Sequence, residues 1–294
     1  MKRIFLILFL LFKISVADEI NFDIFYDQNI TNQQVDKELD RLLFILDKNP
    51  NLINKEFGYN ERIFSFFIIN SKIGNTGKFD FERIEKVLQF KPDLNYNMYR
   101  LDYTSPLHMA IVLGINIDGS KWLREDENLK LIKILLKNGA DLNTKELLTT
   151  AYSANKFEIF SYFLDNGAKD TTRILFSIAA DIGIFIGNNG FSIHKNKLEN
   201  SNERKFARTD IFKKFYENKI KFLKELVKFI ELDKIDLKEI ESFIIINSIL
   251  DNKSAIQILL DNGLCELTKS CEFLKDTANH YDSKEILKLL DDAK

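Results

Sequence analysis

Histidines are the first residues to test for chemistry, and their spacing offers little. His108, His194 and His280 lie far apart, so none supplies the paired imidazoles that a metalloprotease places four residues apart on a helix. His194 sits in a polar stretch and reads as solvated, and His280 precedes the last helix. Gly74-Asn75-Thr76-Gly77-Lys78 suggests a phosphate loop. That motif needs a glycine five positions before its second glycine and a hydroxyl after the lysine, and Lys72 and Phe79 stand there instead. A tight turn between two helices is the better reading. Cys265 and Cys271 are six apart, too far for a redox C-x-x-C pair; they form either a local disulfide or two buried thiols. No Ser–His–acid set, catalytic carboxylate pair or dinucleotide glycine fingerprint is present, and Glu125-Asp126-Glu127 reads as a solvated acidic face. The expectation is a chain without catalytic residues, metal or cofactor.

Composition narrows the classes further. The 294 residues carry 42 basic and 44 acidic side chains, a net charge of −2, with 45% hydrophobic and 29% charged residues. Disordered, collagen-like and multi-span membrane chains are excluded, and near neutrality argues against a general nucleic-acid binder. Two cysteines make no disulfide-rich scaffold. Three prolines and 11 glycines leave few breakers, so helices are expected.

Residues 1–17 read as a signal peptide. Lys2 and Arg3 precede an unbroken apolar run, Ile4 to Phe12, and Ser15-Val16-Ala17 forms a small-residue exit. The run spans about 14 Å at ~1.5 Å per residue, short of a ~30 Å hydrocarbon core. No stable membrane anchor is expected after cleavage, and the mature chain would hold 39 basic against 44 acidic side chains, a charge near −5. A periplasmic or secreted monomer follows.

Internal repetition sets the architecture. Leu136-Lys137-Asn138-Gly139, Leu164-Asp165-Asn166-Gly167 and Leu260-Asp261-Asn262-Gly263 share one ending, each after an apolar stretch of helical spacing. Behind such a stretch, Asn-Gly reads as a helix stop with glycine in the left-handed position. Pro50 and Pro92 take the same place in two weaker copies. Ser105-Pro106-Leu107-His108-Met109-Ala110 opens a short helix with a hydroxyl N-cap before Pro at N1. Gly114 ends it, and a second helix is predicted from about Asn128 to Lys137.

At these residues the chain resembles the ankyrin repeat, a unit of about 33 residues opening on T-P-L-H-x-A. Ser105 replaces the usual Thr; Pro106, Leu107, His108 and Ala110 match, and Gly139-Ala140-Asp141-Leu142-Asn143 is similar to the family's ending. The resemblance implies an all-α solenoid of helix–turn–helix units with short extended connections, in which His108 is a structural side chain bonding turn backbone. It spans residues 35–294, behind an N-terminal segment at 18–34, as about seven units ending near Asn54, Asn95, Asn143, Asp170, Leu232, Leu264 and Asp292. Insertions fall near 115–127 and 188–209; the second reads as a mobile polar segment before a long helix from Asp210 to about Leu232. Charged clusters in the terminal units read as solvated end caps. Phe64, Phe66, Phe67, Phe157, Phe160, Phe163 and Phe176 read as core.

The resemblance further implies a protein partner on the concave face and the tips. The richest tip runs from Tyr96 to Tyr103 through Tyr99 and Arg100, residue types that dominate interface hot spots; packing against the adjacent tip is the alternative. Trp122 either anchors the first insertion or protrudes as a contact. Three functions remain open: a non-catalytic protein-binding module, a dedicated inhibitor or immunity-type protein, and an enzyme with a site in the 188–210 insertion. Tyr99→Ala or Arg100→Ala is expected to weaken partner binding while leaving the melting temperature unchanged. A melting point several degrees lower would make these packing residues.

Overall fold

The computed structural model describes residues 20, 22–27, 29–57, 61–73, 78–98, 104–114, 123–171, 173–190 and 202–292. The leader read in residues 1–17 lies outside them. Among the described residues the chain is all-helical, with fourteen α-helices, short 3-10 turns and one two-stranded pair. It divides into two compact units, residues 1–144 and 145–294.

In the first unit, α1 (Asn32–Lys48) starts in a capping box: Thr31 N–H donates to Gln34 Oε1 at 2.8 Å, and Gln34 N–H to Thr31 Oγ1 at 3.3 Å. Leu39, Leu42, Ile45 and Leu46 bury one stripe of it. Asp36 and Asp40, on its polar side, pair with Arg83 of α3 (Phe81–Leu88) at 2.9 and 3.4 Å, so these end-cap acids are tied to a neighbouring helix. The next helix, α2 (Ile63–Asn70), is buried at every position from Ile63 to Ile68. Such a helix needs cover on all sides. It receives cover from α1, α3 and α4 (Pro106–Val112), and from the N-terminal segment, where Phe22 stacks on Phe66 with centroids 4.1 Å apart. Between α2 and α3, β1 (Lys72–Ile73) and β2 (Lys78–Phe79) pair antiparallel, Lys72 opposite Phe79. The expected plain turn is therefore flanked by a short hairpin ladder. Last in this unit, α5 (Glu125–Lys137) packs on α4.

The second unit consists of helix pairs. Within α6 (Leu147–Ser153) and α7 (Phe157–Asp165), the helices pack on each other, as do α8 (Ile174–Asn188) and α10 (Asp210–Leu226), α11 (Leu237–Leu250) and α12 (Lys253–Asp261), and α13 (Thr268–His280) and α14 (Lys284–Asp292). First helices also meet first helices, α8 lying on α6 and α11, and α11 on α13. Second helices meet likewise, α7 with α10 and α12 with α14. Phe222 of α10 joins two pairs by meeting Tyr152, Phe157 and Phe160 edge-on at 5.1–5.3 Å.

The backbone repeats where the side chains do not. Turns inside the pairs hold Gly114, Asn155, Asp251 or Asp282 at φ of 84°, 52°, 52° and 50°. Behind three of them the same hydrogen bond closes at 2.9 Å: Lys156 N–H to Ala151 O, Asn252 N–H to Asn247 O, Ser283 N–H to Ala278 O. Exits from the second helices hold Lys91, Gly139, Gly167 and Gly263, all at positive φ. Before the three glycines, Asn138, Asn166 and Asn262 donate their side-chain amides to the carbonyls of Ile134, Tyr162 and Ile258 at 2.7–2.8 Å. The asparagine covers an open helix carbonyl, and the glycine turns the chain away.

Side chains from adjacent segments close other helix ends. Asn54 accepts from Asp93 N–H at 2.7 Å, and Asn95 from Asp141 N–H at 2.7 Å while donating to Gly139 O at 3.0 Å. The Glu239 carboxylate accepts the N–H groups of Arg173, Leu175 and Phe176 at the start of α8. Asp251 accepts Glu285 N–H at 3.1 Å and Ile286 N–H at 3.3 Å in the first turn of α14.

Four expectations need correction. The second helix of the Ser105 unit begins at Glu125 rather than near Asn128, because its three acidic residues suit a helix N-terminus. Asn128 is instead buried, donating to Ala110 O at 2.7 Å and Leu113 O at 3.0 Å. Part of the 188–209 insertion is ordered into a helix, α9 (Asn202–Ala207), with Arg204 only 4% exposed, while residues 191–201 lie outside the described ones. The Arg204 guanidinium donates to Ile249, Tyr281 and Asp282 carbonyls at 2.6–3.0 Å, at the ends of α11 and α13. The helix from Asp210 ends at Leu226, with Leu232 in a separate 3-10 turn. Of the phenylalanines read as core, Phe157 is half-buried and Phe176 is 47% exposed.

Two glycines separate conformational from steric demands. Gly139 sits at φ 98° with open space where a Cβ would point, whereas a Cβ on Gly114 would collide with Leu123. Gly139→Ala is expected to cost about 1–2 kcal/mol of left-handed strain. Gly114→Ala should lose roughly 1–3 kcal/mol more through overpacking. Urea midpoints of the two variants check this; equal shifts would remove the steric part.

Candidate binding surface

The Ser105 motif builds a helix start. Ser105 N–H donates to His108 Nδ1 at 3.2 Å, and His108 N–H reaches back to Ser105 Oγ at 3.5 Å. Both residues are buried, and Pro106 occupies N1. His108 thus caps its own helix through Nδ1. His194 lies outside the described residues.

Tyr96 requires a correction. It is 7% exposed, its hydroxyl 2.5 Å from Ser65 Oγ. The Arg62 guanidinium lies 4.4 Å from its ring centroid and pairs with Asp93 at 2.7 Å. Tyr96 is a packing residue, because a phenol beside a buried serine finds its partner inside. Tyr99, Arg100, Tyr103 and Trp122 lie outside the described residues.

The densest set of reactive groups is Tyr152, Asp181 and Lys219. Tyr152 donates its hydroxyl to Asp181 Oδ2 at 2.9 Å, the oxygen that Lys219 Nζ meets at 2.7 Å. Burial and the Asp181 charge push the Tyr152 phenol well above its ordinary value. A neutral, 1% exposed phenol held by an ion pair is a strut joining α6, α8 and α10, closed to a reactant. Tyr216 likewise donates to Asn247 Oδ1 at 3.0 Å, and burial raises its phenol.

Among the described residues, the second unit has a cleft at each of two places. One, of about 420 Å³, is lined by Lys169, Asp170, Thr171, Lys234, Asp236 and Glu239. Its carboxylates are engaged: Asp170 accepts Glu146 N–H at 2.6 Å, Asp236 accepts Lys238 N–H at 2.8 Å, and Glu239 caps α8. Burial pushes the Glu239 carboxyl up, opposed by the backbone N–H groups it accepts. The other cleft, of about 620 Å³, lies between residues 227–233 and 262–267 and includes Phe229, Glu231 and Leu267. Cys265 and Cys271 are joined in a disulfide, with Cα atoms 4.6 Å apart. Among the described residues, no acidic, histidine or cysteine group is arranged to hold a metal ion, and no helix is long and apolar enough to cross a membrane.

Four of the exposed large apolar residues fall on two neighbouring helices. On α8, Phe176 (47% exposed) and Ile184 (59%) stand four residues either side of half-buried Ala180. On α11, Leu237 and Ile245 flank Glu241 with the same spacing. Residues at i, i+4 and i+8 share a helix face, so each helix carries an exposed row. The helices pack side by side, Glu239 fixing the start of one against the start of the other. The sequence signal was present: Ile174 to Asn188 contains one charged residue, Asp181. A helix that apolar should be covered all round.

The buried tyrosines give an alkaline signature. Tyr96 is raised to about 12 by burial, and Tyr152 and Tyr216 are raised as well. Above pH ~10 the unfolded chain releases phenolic protons that the folded chain keeps, so stability falls as pH rises from there. Tyr96 alone should account for roughly 2–3 kcal/mol by pH ~12, at about 1.4 kcal/mol per unit. Phenolate absorbance should show at least three of the nine tyrosines silent until unfolding; nine normal titrations in the folded protein would contradict it. Comparison with protein-family models, curated proteins and solved structures finds no match to this chain.

Proposed function

We propose that this chain is an exported, non-catalytic protein-binding module, built as a degenerate ankyrin-type solenoid and docking its partner on the faces of its first helices. The exposed apolar side chains of α8 and α11 carry the reading. A surface bearing Phe176, Ile184, Leu237 and Ile245 costs solubility unless it is covered in use, and contiguous exposed apolar patches mark interaction sites. Flat helix faces suit a protein surface rather than a small substrate. Recurrent left-handed turns and the Ser105–His108 capping box support the repeat architecture. The leader-like start at residues 1–17 supports export.

The test is affinity capture with the chain lacking residues 1–17, repeated with a Phe176→Asp, Ile184→Asp variant. Partner affinity is expected to fall about tenfold or more, since a central hot-spot side chain contributes roughly 2 kcal/mol. The melting temperature should change little, because about half of each side chain meets water. Unchanged capture, or a variant that unfolds, would end this reading.

A further inference from the structure

The disulfide lies where chemistry can reach it. Cys265 is exposed, in a 3-10 turn at Leu264–Glu266, and Cys271 is half-buried in α13 beside fully buried Ser270. Only six residues separate the two cysteines, so the bridge constrains this junction rather than the chain at large. Apart from it, fully buried Leu264 and short backbone bonds hold the junction: Glu266 N–H to Gly263 O at 3.0 Å, Leu267 N–H to Leu264 O at 3.2 Å, and Ser270 and Cys271 N–H to Leu267 O at 2.8 and 3.1 Å. The N-cap residue of α13, Leu267, makes no side-chain capping bond. Gly263, Glu266 and Leu267 form one wall of the larger cleft, facing Phe229 and Glu231. The body of α13 is held separately, by fully buried Leu274 and Ala278 and by packing on α11.

We propose that Cys265–Cys271 is a thiol-exchange site for small thiols, and that its redox state sets the order of this cleft wall. A thiolate attacks the exposed Cys265 sulfur and forms a mixed disulfide there. The electron pair of the old bond leaves on Cys271, which takes a proton from water. A second thiolate attacks the thiol's own sulfur in the mixed disulfide and releases Cys265. Two small thiols are thereby oxidised to their disulfide while the cystine is reduced to two thiols. The wall then loosens, while α13 stays docked through Leu274 and Ala278.

The experiment treats the folded full chain with glutathione, traps intermediates by acid quench and maps them by mass spectrometry; dithiothreitol then completes reduction before hydrogen exchange. The mixed disulfide is expected on Cys265. Amide exchange across residues 263–271 should rise more than tenfold on reduction, while Leu237–Leu250 is unchanged. A C265S/C271S variant, which has no thiol to react, should show the same local exchange. The proposal is overturned if the cysteines are free in protein isolated under air, or if reduction occurs only in denaturant. Trapping on Cys271, exchange that ignores the redox state, or faster exchange spreading through α11 would overturn it too.

Discussion

A helix of seven residues, such as α4 or α6, leaves more backbone groups open at its ends than it pairs within. About four N–H and four C=O groups lack intrahelical partners, and each left buried and bare costs roughly 1–3 kcal/mol. A chain of such short helices stands only if something answers those groups, and here the answer comes largely from adjacent segments. Glu239 serves the start of α8, Asp251 the start of α14, Arg204 the ends of α11 and α13, and Asn95 the exit at Gly139. None of these helices is complete alone, so sequential packing is a condition of folding and not merely its result.

This constraint explains which features were legible in the sequence. The stops were, because Asn-Gly and proline act locally: Asn166 bonds Tyr162 four residues back, and Gly167 turns at once. The Ser105–His108 start was legible for the same reason. Turns at Asn155, Asp251 and Asp282 were harder, since Asn and Asp enter the left-handed region without announcing it as glycine does. Helix α9 was hidden, because its six residues are held by carbonyls 45 to 78 positions away. No local pattern encodes a partner that remote.

The burial of Tyr96 and of Phe176 was misread, and for one reason. Tyr96 has the chemistry of a hot spot, but Ser65 and Arg62, about thirty residues upstream, claim its hydroxyl and its ring face. Phe176 has the chemistry of a core residue, but no described helix covers its side of α8, and 47% of it meets water. Residue type fixes what a side chain can do once buried or exposed. Only the neighbouring segments decide which of the two it is.

The same accounting bears on function. Catalysis needs a base, acid or nucleophile whose lone pair or proton faces a reactant. Here the polar groups that cluster turn toward the chain: His108 Nδ1 to Ser105, Asp181 to Tyr152 and Lys219, Asp170 and Glu239 to backbone N–H groups. Among the described residues, Phe176, Ile184, Leu237 and Ile245 on the chain's first helices stand partly in water, as Phe44, Ile211 and Phe229 do on other segments. Apolar side chains left partly in water on two neighbouring helices are the feature on which the proposed docking face rests.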